Sequence, residues 1–442
     1  LVSPVFLKKL NRALWLGLAI VLVAATAAYG AMLLLVRSKE KQIEDRWAGS
    51  YGSMAGFAAR FPAKSKNVAA EQIENLCVPL GLPFLSLSNK NDIQNIEPGD
   101  WSKVTGYFHK YLEKELNDPA VCISPPPEEA GAFLESHGGV LSSVKAVLRN
   151  EGPPIWDVDL SGGGRRPPNH LGILSLGEWL FVDAMARFAS HDSAGGLGDL
   201  EATWVLEKGL LSRPELVFFG SAVAMARERA GVLRKSGLAP PEWQARLDPA
   251  PYEKEFMSAL QFEAWKYWNA GQMTAKAPYT SRAARREGWL WKSFGRLWFR
   301  LSMADAGIAC LDQIAILERQ GWCNSSMAAG ADFIARDLPE WSASGHFGVT
   351  RMSIPWTSVT QLELDLELTR KLFIARQARS ASERWPPAIP GIEKSRCPGT
   401  RWFYAVNQDG GMTLAYSGSA AREKRDGRID LPMMVIERGG SQ

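Results

Sequence analysis

The chain has few of the residues that do chemistry by motif. Its 442 residues include five histidines and five cysteines. Cys77, Cys122, Cys310, Cys323 and Cys397 form no CxxC or CxxCH. That removes a zinc ribbon, a thioredoxin-type dithiol and covalent c-type haem attachment. His109, His137, His170, His191 and His346 fall in no HExxH and no Cys/His ligand spacing, so no metal set is expected. No GxSxG is present, and with it goes the strained turn that presents a hydrolase serine. No cofactor is expected either. Ser161-Gly162-Gly163-Gly164-Arg165-Arg166 could cradle an anion on backbone N–H groups and two guanidiniums, but it lacks the GxxxxGK[ST] spacing and reads as a loop. Charge of one sign is also scarce: the net charge is +4, whereas a nucleic-acid binder carries a basic excess or stripe. Nucleic acid is therefore not an expected partner.

The odd cysteine count leaves at least one thiol outside any intrachain pair. Cys77–Cys122 and Cys310–Cys323 are candidate bridges if the body lies in an oxidising compartment. Buried thiols are the competing reading.

Long apolar runs are scarce too, with one exception. Ala13 to Val36 reads ALWLGLAIVLVAATAAYGAMLLLV, without a charged residue. At about 1.5 Å per residue it reaches roughly 36 Å, enough to cross a ~30 Å hydrocarbon layer with some tilt. A secretory signal has a shorter apolar region of roughly 7–15 residues. The run therefore predicts a transmembrane helix over 13–36, behind a short tail of residues 1–12. Trp15 and Tyr29 suit the two membrane interfaces. Small residues from Gly17 to Ala31 permit the approach of another membrane helix. Lys8, Lys9 and Arg12 precede the run, and Arg37, Lys39, Lys41 and Arg46 follow it. The flanks nearly balance, but a short basic segment before a first helix favours a cytoplasmic N-terminus. The body would then lie in the periplasm or outside the cell.

What fills the rest is helical patterning. A content of 46% hydrophobic and 22% charged residues belongs to a folded chain, not a disordered one. The 17 tryptophans suit packed cores, interfaces and membrane belts alike. Punctuation by proline and glycine divides the body into a membrane-proximal helical region over 37–150, a main helical domain over 151–385 and a β-rich element over 386–442. Helices are expected over 67–80, with Val68, Ile73, Leu76 and Leu80 near one face, and over 103–116 and 128–149. Ile173, Leu174, Gly177, Leu180, Phe181, Ala184, Met185 and Phe188 repeat at helical spacing, with Trp179 opposite, so this helix is expected to be covered on two faces. A helix is expected over 197–211. Another should start at a capping box of Ser212 and Glu215, with Pro214 in the first turn, and stop at Gly237. Further helices are expected over 251–269 and 283–319, the second broken inside. QLELDLEL, from Gln361 to Leu368, alternates like a strand, but Leu362, Leu366 and Phe373 share a helical face and it is read as helix. Trp402–Val406 and Met412–Tyr416 flank Asn407-Gln408-Asp409-Gly410-Gly411 as a hairpin, with residues 432–436 as a third strand.

Three clusters carry candidate chemistry. His191-Asp192 beside Asp183 and Arg187 could be an acid–base pair, and more simply is a polar helix end. Asp409, Asp426 and Asp430 lie near glycines in a way that could bind Ca²⁺, without EF-hand spacing. The segment from Arg282 to Arg300 interleaves Trp289, Trp291, Phe294, Trp298 and Phe299 with Arg285, Arg286, Lys292, Arg296 and Arg300. Such a mixture suits a membrane surface or an acidic partner, against the alternative of a core helix with snorkelling arginines. Trp15, Trp289, Trp291, Trp298 and Arg296 are the residues expected to meet a membrane or a partner.

Asn67–Leu82 (NVAAEQIENLCVPLGL), Asn169–Phe188 (NHLGILSLGEWLFVDAMARF), Leu200–Leu216 (LEATWVLEKGLLSRPEL) and Pro240–Leu247 (PPEWQARL) resemble a family of bacterial proteins with an N-terminal membrane helix, a helical body and a short β-rich end. That family has no assigned activity, so the resemblance implies architecture and no site residue.

The expected fold is mainly α: one N-terminal transmembrane helix, a helical-hairpin body and a small C-terminal β-hairpin element. The expected role is a non-enzymatic accessory or scaffold subunit of a bacterial membrane complex, of respiratory, photosynthetic or envelope type. Its partners would be the lipid bilayer and other membrane-complex subunits. The alternative is a membrane-anchored envelope hydrolase whose site is assembled from scattered residues, because active sites are recognised by geometry.

Overall fold

No proline follows Pro4, and no glycine follows Gly30, until Gly49. The backbone accordingly runs as one helix, α1, from Pro4 to Tyr51, and ends against Gly52 in the left-handed conformation that glycine adopts without penalty (φ 81°). The apolar run and the charged segment behind it are thus one rod. In this computed structural model the described residues are 4–82, 84, 99–158, 168–276, 294–321, 323, 343–418 and 431–438, with the backbone alone over 343–357. The chain is mostly helical (72%), with one apolar N-terminal helix and a small three-stranded C-terminal sheet, which is the fold class expected. It divides into two compact units: residues 1–57, 261–316 and 329–352 form the first, and the remainder forms the second.

In the first unit, the second half of α1 packs with the end of α10 (Ala250–Lys276) and with α11 (Arg296–Gln320). Val36, Ile43 and Trp47 recur at helical spacing and are fully buried. A Cβ on Gly307 would stand 3.1 Å from Ile43 Cδ1, so a bare glycine lets α11 come close. Trp47 meets Phe57, on the short α2 (Met54–Ala58), and Tyr51 edge-on, at ring separations of 4.9 and 5.2 Å. Opposite charges then register the helices. Arg300 grips Glu40 with two bonds of 3.0 and 2.8 Å. Lys39 lies 3.3 Å from Asp305, and Arg46 lies 2.6 Å from Asp312.

The second unit is built on α6 (His170–Ala189), α7 (Ser193–Leu211) and α8 (Leu216–Lys235), which pack pairwise. Around them lie α3 (Val68–Cys77), α4 (Asp100–Asn117) and α5 (Glu128–Glu151). As the sequence predicts, α6 is covered on both sides: Trp179 and Leu180 are both fully buried. In α3 the inward face is Ala69, Ala70, Ile73 and Cys77, and Val68 is 55% exposed. The expected face is therefore rotated, because the small residues permit closer packing than the larger Val68. The capping box at Ser212 does not form. Its hydroxyl donates to the Gly209 carbonyl at 2.7 Å and closes α7, while α8 starts after Glu215. At the far end Gly237 takes the left-handed conformation expected of it (φ 72°). A short α9 (Pro241–Gln244) leads into α10.

QLELDLEL is helical, inside α12 (Ala343–Ser382). Its residues from Leu362 to Asp365 are all buried, polar ones included, so burial on every side accounts for the ambiguous alternation. Beyond it, β1 (Trp402–Val406), β2 (Met412–Tyr416) and β3 (Met434–Glu437) form an antiparallel meander in that order. Val406 faces Met412 across the hairpin, and Met412 faces Glu437. Leu364, Leu368 and Leu372 of α12 pack with Trp402, Met412, Leu414 and Val435 of the sheet. Cys397 joins this core and is bonded to Cys323. Neither candidate bridge forms. Cys77, Cys122 and Cys310 take no part in a disulfide. Cys77 and Cys310 are buried, and burial pushes the Cys77 thiol up to about 12.

Candidate functional site

The apolar part of α1 is bare. Among the described residues it is the one helix long and apolar enough to cross a membrane, by length and composition, and 6% of its most apolar window is buried. Val23 is 70% exposed and Trp15 66%. A core helix hides such side chains, since each fully buried Leu or Val is worth about 1.5–3 kcal/mol.

Cover begins near the end of the run. The Tyr29 ring meets Phe294, just ahead of α11, edge-on at 5.5 Å. Val36, Leu297 and Leu301 form a buried cluster with Met32 and Leu33 against it. Of the residues expected to meet a membrane or partner, Trp298 and Arg296 are thereby placed on α11 beside the end of the apolar run, both half-buried. Trp15 stands near the other end of the run. Trp289 and Trp291 lie outside the described residues, as do Arg285, Arg286, Lys292, Asp426, Asp430 and the Ser161–Arg166 segment.

Two polar clusters lie among the helices of the second unit. In the first, α5 supplies Lys145, α6 supplies Asp183 and Arg187, and α7 supplies Asp199. Lys145 Nζ stands 3.0 Å from Asp183 and 2.6 Å from Asp199. Arg187 Nε lies 3.1 Å from each carboxylate. Asp199 is fully buried, and burial, with the Asp183 charge, raises it to about 7. Burial pushes Asp183 up as well, but Lys145 and Arg187 outweigh it and hold that carboxyl low. Two carboxylates and two cations thus share a site in which one proton is retained near neutrality. His191 stays outside this group. Asp192 caps α7 by accepting from the Gly195 amide at 2.9 Å and accepts from Arg187 at 2.8 Å, so the His191-Asp192 pair is a helix junction.

The second cluster draws on α4, α6 and α8. His109 Nδ1 lies 3.4 Å from Glu178 Oε1, and this contact raises the imidazole. Glu228 is buried, and desolvation, with the Glu178 charge, raises its carboxyl far above the usual range. Among the described residues its Oε2 has no hydrogen-bond partner. No motif marks Lys145, Asp199 or Glu228 in the sequence. The legible signal was the i, i+4 pairing of Asp183 with Arg187 on α6.

Asp409 has the simpler of its two roles: its Oδ1 accepts from the Gly411 amide at 2.9 Å inside the hairpin turn. Among the described residues no group of three or more His, Cys, Asp or Glu is placed to hold a metal ion. Comparison of the chain with protein-family models, with curated proteins and with solved structures finds no match.

Proposed function

We propose that the chain is a single-pass membrane protein that acts as a non-enzymatic scaffold or accessory subunit of a bacterial membrane complex. The observation that carries the reading is the bare apolar half of α1, continuous with a polar half built into a folded unit. An exposed apolar surface of that size marks an interaction site, and its length matches a bilayer. The charges ahead of the run support a cytoplasmic N-terminus. Lys8, Lys9 and Arg12 form a short basic segment before the first helix, and they outweigh Arg37 and Lys41, the positive residues behind the run other than Lys39 and Arg46, which are held by Asp305 and Asp312. The Cys323–Cys397 bond fits a body in the oxidising space on the other side.

Purification from native membranes in mild detergent, with mass spectrometry of the co-purifying chains, tests the role. A fixed stoichiometry with other membrane subunits is expected. A monomer with no partner at native abundance overturns it. Glu228, whose Oε2 has no partner among the described residues and whose carboxyl feels Glu178, itself in contact with His109, is the observation that favours an enzyme instead. Loss of a turnover in Glu228→Gln, with the fold intact, would establish that reading.

A further inference from the structure

We infer that the membrane-embedded part of this protein is more than α1: the segment from Phe294 to Leu301, which leads into and opens α11, enters the hydrocarbon layer beside it and contacts lipid through Trp298 and Phe299. The inference rests on the reading of Ala13–Val36 as a span and adds a second element to it.

The argument is one of depth. The uncharged run is bounded by Arg12 and Arg37 and is roughly 36 Å long, about 6 Å more than the hydrocarbon needs. Tyr29 lies about 12 Å before Arg37 along the helix axis. If all of the excess is placed at this end, Tyr29 is still about 6 Å inside the hydrocarbon. Tilt consumes the excess and places it deeper. Phe294 touches the Tyr29 ring at 5.5 Å, so it shares that depth. From there Leu297 and Leu301 follow Met32, Leu33 and Val36 toward the surface.

The composition of this stretch fits the depth. Leu297 and Leu301 are buried against α1. Trp298 and Phe299 lie off that face and are half-buried, and an indole at this level suits the interfacial belt. Arg296 has a stem long enough to carry its guanidinium to the headgroups. Arg300 is neutralised by the two-bond grip on Glu40, a residue just beyond the end of the run. On α1 at the same level Leu34 is 68% exposed and Leu35 43%, so apolar surface faces outward from both helices. The occupant that covers it without a break from Leu14 onward is the acyl layer itself.

Nitroxide accessibility in the full chain tests this. Cys122→Ser removes the exposed thiol, since Cys77 and Cys310 are buried and Cys323 is bonded to Cys397. Single labels are placed by Val21→Cys, Trp298→Cys and Phe299→Cys. The protein is reconstituted in phosphatidylcholine–phosphatidylglycerol vesicles, and collisions with oxygen and with a water-soluble nickel chelate are compared. Position 21 is expected to favour oxygen strongly. At least one of positions 298 and 299 is expected to favour oxygen several-fold, at a shallower depth. If 21 reports lipid while 298 and 299 both report water, or are shielded from both quenchers by protein, the second element is overturned and the span stands. If 21 itself reports water, both readings fall.

Discussion

Arg376 of α12 donates its Nε proton to Glu437 Oε1 of β3 at 2.6 Å, and both side chains are buried. The rest of the guanidinium caps α8. Nη2 donates to the Arg234 carbonyl and Nη1 to the Leu238 carbonyl, each at 2.6 Å. One side chain therefore satisfies carbonyls at the end of a buried helix, where the dipole favours a cation, and ties them to the sheet. Arg376→Met takes away the closer partner of buried Glu437, leaving Arg379 at 3.6 Å, and should cost up to about 3–5 kcal/mol. Adding Glu437→Gln should recover a large part of that loss. Urea unfolding of the two variants and the parent checks it, and two additive losses would show that the pair is not coupled.

The disulfide acts on the unfolded chain. Cys323 and Cys397 are 74 residues apart, and closing a loop of that size is worth about 4 kcal/mol in the chain-entropy account. Cys397→Ser should lower the melting temperature of the non-reduced protein. Reductant should then add nothing to the variant while lowering the parent to match it. A parent that is insensitive to reductant would show that the bond is not formed.

Periodicity made most of the helices legible, and the reasons for the exceptions are physical. The amphipathic reading works where one face is wet, as in α4 and α5. It fails on α8, whose Arg227, Glu228, Arg229, Arg234 and Lys235 are all buried. Their partners are remote in sequence: Asp365 takes Arg227 at 2.9 Å and Arg234 at 3.2 Å, and Glu207 takes Arg229 at 2.5 Å. A charge run normally reads as a solvated face, and only the fold reveals the compensating acids. The same holds for Cys323, whose partner could not be picked from spacing, and for Asp199, whose cation Lys145 lies on another helix. The apolar N-terminal helix was legible because a long run without charge is read from composition alone.

Stability should fall as pH rises from about 5 to about 8. Asp199 is raised to about 7 by burial and by Asp183, and Glu363 to about 8 by burial and by Glu253. Unfolded carboxyls titrate near ~4, so across this interval the native state holds protons that the unfolded state has released, and unfolding is favoured by raising pH. The Asp199 contribution is complete below the unfolded value and is lost through about pH 7. Around it stand Lys145, Arg187, Asp183 and Asp192. Around Glu363 stand Glu253, Arg396 and Glu367. His109, raised by its hydrogen bond to Glu178, adds to the trend; His170, lowered by burial, opposes it. Asp199→Asn with Glu363→Gln fixes both groups in their neutral form and should flatten the profile. Melting temperatures at pH 5 and 8.5 decide it, and a parent that is more stable at the higher pH would contradict the assignment.

A Cβ on Gly209 would stand 2.5 Å from the Pro154 carbonyl oxygen, and a backbone atom cannot swing aside as a side chain can. Gly209 is in the last turn of α7, where alanine would ordinarily be favoured by up to roughly 1 kcal/mol. The clash should reverse that sign, and Gly209→Ala is expected to destabilise by about 1–3 kcal/mol. Gly198, on the same helix with open space around it, is the control: Gly198→Ala should stabilise. Equal effects at the two positions would show that Pro154 does not pack against α7.

The two halves of α1 should behave differently when removed. Residue 9 and residues 11–30 are exposed almost throughout, so loss of the segment before Ala31 takes away apolar surface without opening a core. A chain starting at Ala31 keeps Met32, Leu33 and Val36 against Leu297 and Leu301, and keeps the pairs of Lys39, Glu40 and Arg46 with α11. It should need less detergent and melt cooperatively. Removing residues 1–51 instead strips Val36, Ile43 and Trp47 from the first unit, each worth about 1.5–3 kcal/mol of burial. It also orphans Asp305, which is 2% exposed and whose carboxyl burial already pushes upward. Breaking such a pair costs about 3–5 kcal/mol, and the sum approaches the roughly 5–15 kcal/mol that holds a typical domain together. The shorter chain should lose protection of α11 amides in hydrogen exchange. If both truncations exchange alike, the polar half of α1 does not belong to the folded unit, and α1 is joined to the body without being part of it.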